Sequence, residues 1–323
     1  MWRMIVRRFL ILIPQLFAIS LFVFLLGVLM PGDALSGLVD PSISVEAMAH
    51  QRYLLGLDDP MPVRYINWMR GILLEGDFGQ SFAHRRSVTD LIAERVVTTF
   101  WLALSILILT YVIAIPLGVL AGRYKGKFID KAIMVYIMTA LSIPTLVLAV
   151  LLIMQFAFGF GWFPASGSVN AIVLAGGNMG EILLNRLHHI VLPTVTGAIV
   201  GGVTVVFMLR ANIIDRTYSE YVTLARSKGV PTNVIFNRHI LRNSLIPVAA
   251  GFGPMMVALL TGTLFIERIF MYPGMGDLFF SSILSRDFAV VNALIIIFSI
   301  LIALGMLISD ILLTIIDPRI RVE

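Results

Sequence analysis

Six stretches of the chain contain no Asp, Glu, Lys or Arg: residues 9–30, 100–121, 132–158, 187–209, 243–266 and 288–309. Each is long enough to cross a hydrocarbon core, which takes roughly 20 helical residues. Backbone groups in lipid must find their hydrogen bonds within the segment, so the pattern predicts helices, not strands. Pro116, Gly118, Pro144, Gly201 and Gly202 fall inside these stretches, where membrane helices tolerate such residues. The first stretch follows Arg3, Arg7 and Arg8 like a signal peptide, but it is too long for an h-region and no A-x-A site follows it. It is expected to be a retained helix.

Between the runs, two polar segments are long enough to have structure of their own. Residues 31–99 open on the turn signal Pro31-Gly32-Asp33. A short helix is expected from Ser44 to Gly56. A second is expected from Pro62, with Val63, Ile66, Met69 and Leu73 on roughly one face. Together they predict a small helical cap resting on the membrane surface. The second segment, 210–242, suits a helix over Glu220–Lys228, a C′ glycine at Gly229, and Pro231 to prevent continuation. Thr232 then caps a second helix running through His239 and Leu241. Helix, sharp bend, helix makes a compact elbow, and its mix of apolar and basic residues suits docking in another protein's groove.

Composition agrees with the pattern. Hydrophobic residues make up 59% of the 323 positions and charged ones 13%, about half the charged share of a soluble domain. There are no cysteines, which excludes disulfides and thiolate metal sites. The net charge of +5 points to topology and not to nucleic acid. With the N-terminus inside, fifteen Lys and Arg fall in inner segments, among them Arg123, Lys125, Lys127, Lys131, Arg210, Arg216, Arg226, Lys228, Arg238 and Arg242. The two short outer loops hold three: Arg186, Arg268 and Arg286. By the positive-inside rule both termini are cytoplasmic.

Several chemistries lack their residues. No G-x-x-x-x-G-K-[ST] occurs, and the fragment from Gly122 to Lys127 has the wrong spacing, so this chain has no such device for ATP. No G-x-S-x-G occurs. Gly274-Met275-Gly276-Asp277 has the G-x-G-D pattern of intramembrane aspartyl proteases, but the usual Tyr-Asp partner is missing. A turn built from Pro273, Gly274 and Gly276 accounts for it better. A secondary transporter or channel would need buried Asp, Glu, Arg or Lys within its spans to couple ions, and the six runs have none. His188 and His189 read as a hydrogen-bonded interfacial pair before a metal site. Asp310 lies near the inner end of the last run, where Arg210 or Arg242 could meet it, or where a local helix-end contact could satisfy it.

The run Glu220-Tyr221-Val222-Thr223-Leu224-Ala225-Arg226-Ser227-Lys228-Gly229, followed by Arg238-His239-Ile240-Leu241-Arg242-Asn243-Ser244-Leu245-Ile246-Pro247, resembles the coupling loop of binding-protein-dependent ABC importer permeases. It is similar to the version in the B-type subunit of the oligopeptide, dipeptide and nickel branch. Other blocks agree: Leu29-Met30-Pro31-Gly32-Asp33, Leu55-Gly56-Leu57-Asp58, Gly76-Asp77-Phe78-Gly79-Gln80-Ser81, Ile115-Pro116-Leu117-Gly118-Val119, Asp317-Pro318-Arg319, and the block from Glu267 to Gly276. Two features depart from the broader importer pattern: Thr223 and Leu224 replace Glu and Ala, and Pro247 comes eighteen residues after Gly229 instead of thirteen.

The resemblance implies an all-α membrane protein of about six transmembrane helices with the type I importer permease fold. Residues 1–30 would form the tail and first helix, 31–97 an external segment, 98–316 the permease core with its coupling loop 210–242, and 317–323 a cytoplasmic tail. It implies a bacterial or archaeal cytoplasmic membrane, a homologous second permease subunit, two cytoplasmic ATPase subunits and an extracytoplasmic binding protein. The chain itself would hold no cofactor, ATP and magnesium being bound by the partners. Substrates would be peptides or, alternatively, nickel or another small solute. Glu220, Tyr221, Ala225, Arg226, Lys228, Gly229, His239, Arg242 and Pro247 would form the ATPase-coupling loop. Glu267, Pro273, Gly274, Gly276 and Asp310 are structural or gating candidates. For Arg226 and Lys228, pairing with ATPase carboxylates and simple topology signalling both remain open.

Overall fold

The computed structural model describes residues 2–29, 50, 53, 58–81 and 83–316. Apart from positions 50 and 53, the expected helix at 44–56 lies outside those residues, as do the tail 317–323 and the blocks around Pro31 and Pro318. The first helix, α1, spans Trp2–Leu29. Helix α2 (Met61–Arg70), with Pro60 as its cap residue, starts one residue before the expected opening at Pro62, and a π-helical turn over Gly71–Glu75 ends at left-handed Gly76. An antiparallel hairpin follows, β1 (Gln80–Ser81) pairing with β2 (Arg86–Ser87). Then come α3 (Val88–Arg123), α4 (Phe128–Ser142), α5 (Thr145–Leu152) with a π-helical extension to Gly159, and α6 (Ala171–Gly176). The longest helix, α7, runs Met179–Thr217. The remainder is α8 (Glu220–Ser227), α9 (Thr232–Val234), a π-helical stretch over Ile235–Leu241, α10 (Arg242–Ala250), α11 (Phe252–Ile269), α12 (Met275–Leu284) and α13 (Phe288–Ile316).

Among the described residues four helices are long and apolar enough to cross a membrane: 10–29 within α1, all of α3, all of α7, and 288–311 within α13. The bent pair α4–α5 is a fifth if both arms count as one span. The expected six are thus matched by four or five. The expected span 132–158 is not straight: its arms meet at 104°. The break falls at Pro144, which lacks an amide donor and disfavours the helical region for Ile143, here at φ −94° and ψ 117°. Pro144 is therefore a break, whereas Pro116 and Pro193 lie inside continuous helices. The expected span 243–266 is divided at Gly251 between α10 and α11.

Helices α3 and α7 form the spine. They approach closely because three positions carry no side chain. A Cβ on Gly118 would lie 2.9 Å from Leu209, one on Gly122 2.7 Å from Ile213, and one on Gly197 2.7 Å from Ile106. Such small-residue seams bring membrane helices together where no hydrophobic drive operates between them. Asn178 starts α7 with a reciprocal cap: its side chain accepts from Glu181 N, and the Glu181 carboxylate accepts from Asn178 N.

The cap is attached to α1 through a different face of α2 from the apolar one the sequence marks. Helix α2 turns Tyr65 and Trp68 onto Phe17, Ser20 and Phe24 of α1, with a 2.8 Å bond between the Ser20 and Tyr65 hydroxyls. Val63, Ile66 and Leu73 are exposed.

A candidate coupling elbow and a buried helix cap

The elbow forms at 220–241. Helix α8 ends in a Schellman motif: Gly229 N donates to Arg226 O at 2.9 Å and Val230 N to Ala225 O at 3.2 Å. The motif needs a left-handed residue at C′, and Gly229 has φ +71°. A Cβ there would meet nothing within 4 Å, so glycine serves the backbone conformation and not close packing. The next helix starts at Thr232 with Pro231 as its cap residue, so Thr232 is inside the helix instead of capping it.

The two faces of α8 divide the predicted residues. Val222 is fully buried, and Tyr221, Ala225 and Val230 pack against the same cluster, with Ile235, Phe236 and Ile240 from the second arm. Ala225 thus permits close approach within the elbow itself. Glu220, Thr223, Leu224, Arg226, Ser227 and Lys228 form the outer face, and Leu224 remains 58% exposed. His239 is half-buried and Arg242 is exposed. The π-helical register leaves carbonyls for side chains: Asn243 Nδ2 donates to His239 O and Ser244 Oγ to Ile240 O, both at 2.8 Å. Pro247 lies in α10, beyond the elbow.

The second predicted group converges on Glu267, whose side chain is fully buried. Helix α12 begins after Gly274, which has no side chain to cap it. Glu267, from the end of α11, supplies the missing acceptor: Gly276 N donates to its Oε2 at 2.7 Å and Asp277 N at 3.1 Å. Thr99 of α3 donates to Oε1 at 2.7 Å and accepts from Met275 N at 2.7 Å. Three orphan amides of α12 are thereby satisfied, and a carboxylate sits at the positive end of its dipole. The glycines make room: a Cβ on Gly274 would come within 2.4 Å of the carboxylate oxygens, and one on Gly276 within 2.9 Å of Oε2. This explains the G-x-G-D pattern. Its Asp277 pairs with Arg268 at 3.0 Å. Pro273 precedes the cap, and burial pushes the phenol of neighbouring Tyr272 up to about 12.

Asp310 is separate from both groups, on α13. Its proposed partner Arg210 is engaged elsewhere, donating to Asp130 through Nε at 2.6 Å and Nη2 at 2.9 Å. Asp130 also accepts from Gly126 N. His188 and His189 each bond a backbone carbonyl, of Trp162 and Asn185. Sequence reasoning passed over Thr99, Asp130 and Asp287. Thr99 borders an apolar run and carried no signal of its partner 168 residues away.

Comparison with known proteins covers nearly the whole chain. Residues 114–322 match the family model described as binding-protein-dependent transport system inner membrane component, and residues 1–103 match its N-terminal counterpart. The oligopeptide transport system permease protein AppB of Bacillus subtilis (strain 168) is 35% identical over 318 residues, 98% of each chain. The glutathione transport system permease protein GsiC of Escherichia coli (strain K12) is 32% identical over 318 residues, again 98% of each. Among solved structures, an inward-facing form of the MetNI methionine ABC transporter aligns with a TM-score of 0.56 at 14% identity, covering 70% of this chain and 96% of that one. A second crystal form of the same transporter aligns with a TM-score of 0.54. At that identity the likeness speaks to fold.

Proposed function

This chain belongs to the family of binding-protein-dependent transport system inner membrane components, and from that membership we propose that it forms half of the membrane channel of an ATP-driven peptide importer. The observation that carries the substrate class is end-to-end similarity to an oligopeptide and a glutathione permease. The other half is a homologous permease. Two ATPase subunits bind ATP and magnesium on the cytoplasmic side, and an external binding protein delivers the peptide. Both termini face the cytoplasm, as the Lys and Arg distribution favours.

The elbow supplies a mechanism. Its outer face, Glu220, Leu224, Arg226 and Lys228, docks in an ATPase groove. Its inner face is fused to the spine through Val222, Ile235 and Ile240. When nucleotide draws the ATPases together the elbow moves as a rigid body, and α7 and α10 carry the displacement into the membrane. Glu267 holds α12 to α3 and α11, so these elements shift as a unit.

The test is reconstitution. With its second permease, both ATPases and the binding protein in liposomes, the chain should support peptide uptake that stops when ATP is withheld. Purified alone it should not hydrolyse ATP. Uptake without the ATPases would overturn the proposal.

A further inference from the structure

A cleft of about 290 Å³ opens between the end of α3, the turn after it, the end of α7 and the elbow. Of its lining, the coupling scheme uses only Arg226, at the edge of the elbow's outer face, and gives the rest no task. Its wall carries four cations, Arg123, Lys125, Lys127 and Arg226, and among the described residues no Asp or Glu lines it.

Three of the cations are placed by neutral groups. Arg123 Nη2 donates to Asn233 Oδ1 at 2.7 Å, and its guanidinium lies 4.7 Å from the centre of the Phe236 ring. Lys125 stands 5.3 Å from the ring centre of Tyr218, and Lys127 5.4 Å from that of Tyr124. Contacts with aromatic faces orient a cation without cancelling its charge. The carboxylate of Asp130, close enough to act on Lys125, is already taken by the Arg210 guanidinium and Gly126 N. The positive-inside rule asks for Lys and Arg on one side of the membrane. It does not ask for four of them around one concavity with an aromatic wall. Guanidinium and ammonium donors converging on a concave site are the arrangement that recognises phosphate oxygens.

We propose that this cleft binds a phosphate group, carried by an anionic phospholipid of the adjoining leaflet or by a small soluble phosphate. Because Arg226 belongs to α8 and Arg123 to α3, a bound phosphate bridges elbow and spine and ties the elbow's position to the ligand. The cytoplasmic placement of the cleft rests on the orientation proposed above. The binding does not, and it is measured in detergent, where sidedness is lost.

The test uses the full transporter, delipidated in detergent and titrated with a short-chain phosphatidylglycerol, a short-chain phosphatidylcholine or inorganic phosphate, with binding read by native mass spectrometry and thermal stabilisation. Wild type should bind the anionic lipid more tightly than phosphatidylcholine, and salt should weaken that binding. The double variant K125Q/K127Q, altered at two exposed lysines, should lose roughly tenfold or more in affinity as its charge-assisted contacts go. K131Q, outside the cleft, should bind like wild type. Inorganic phosphate displacing the lipid, or binding as tightly, would assign the site to a soluble phosphate. Phosphatidylglycerol binding that phosphate cannot displace would assign it to the lipid. Equal binding by wild type and K125Q/K127Q would overturn the proposal. So would loss of ATPase association in that variant with phosphate and lipid binding intact, which would make the cations a protein-docking surface.

Discussion

Ser81 and Asp287, 206 residues apart, share a buried 2.5 Å hydrogen bond that fastens the β1–β2 hairpin to the start of α13. Ala83 N donates to the same carboxylate oxygen at 3.2 Å. Ser81→Ala removes a charge-assisted bond and should weaken the hairpin's attachment by roughly 1.5–3 kcal/mol, about tenfold or more in its opening equilibrium. Arg85 and Arg86 are exposed in that hairpin, so trypsin cleavage there reports the change. Cleavage rates equal to wild type would show that the bond does not hold the hairpin.

The same burial governs labelling. The chain has no cysteine, so single replacements give clean signals. Ala83 and Ser227 are exposed, whereas Ser81 is 1% exposed. Ala83→Cys should react with an impermeant thiol reagent from outside, and Ser227→Cys only after the inner face is opened. Ser81→Cys should stay unreactive on either side. Reversed accessibility at Ala83 and Ser227 would sink the proposed orientation.

Replacing Glu267 by Ala strands two amides of α12 and the Thr99 hydroxyl. The expected loss is roughly 2–5 kcal/mol. Glu267→Gln keeps an acceptor but sets an amide NH2 beside donors, and should fall between. Gly274→Ala should resemble Glu267→Ala, because its Cβ would displace the carboxylate. Thermal unfolding of the detergent-solubilised protein ranks the three. A Glu267→Ala midpoint at the wild-type value would contradict the capping role.

Gly229→Val tests the elbow. Space is not the obstacle there. The left-handed backbone costs a β-branched residue roughly 1–2 kcal/mol or more, and the two Schellman bonds go with it. Membrane insertion should stay near normal while ATPase co-purification and peptide uptake fall together. Gly229→Asn, better tolerated at positive φ, should lose less of both. Wild-type values of both for the valine variant would remove the elbow from the mechanism.

The sequence alone determined the apolar runs, the elbow and the family resemblance. Hydropathy over 20 residues decides whether a segment enters lipid, and Gly229 with Pro231 fixes a bend through local backbone sterics. Tertiary structure decided the pairings and the breaks. Pro116, Pro144 and Pro193 carry the same local defect, yet α3 and α7 run through theirs while the helix at Pro144 turns by 104°. A proline deletes one bond, and the packing around it determines whether the helix continues. Arg210 could reach Asp310 on paper and is paired with Asp130 in the fold. Glu267 could be marked by its motif, but Thr99 could not, because Thr99 acts only after α3 is laid against α11 and α12. Local pattern encodes burial and bends. Partners across 80 to 206 residues are set by which helices meet.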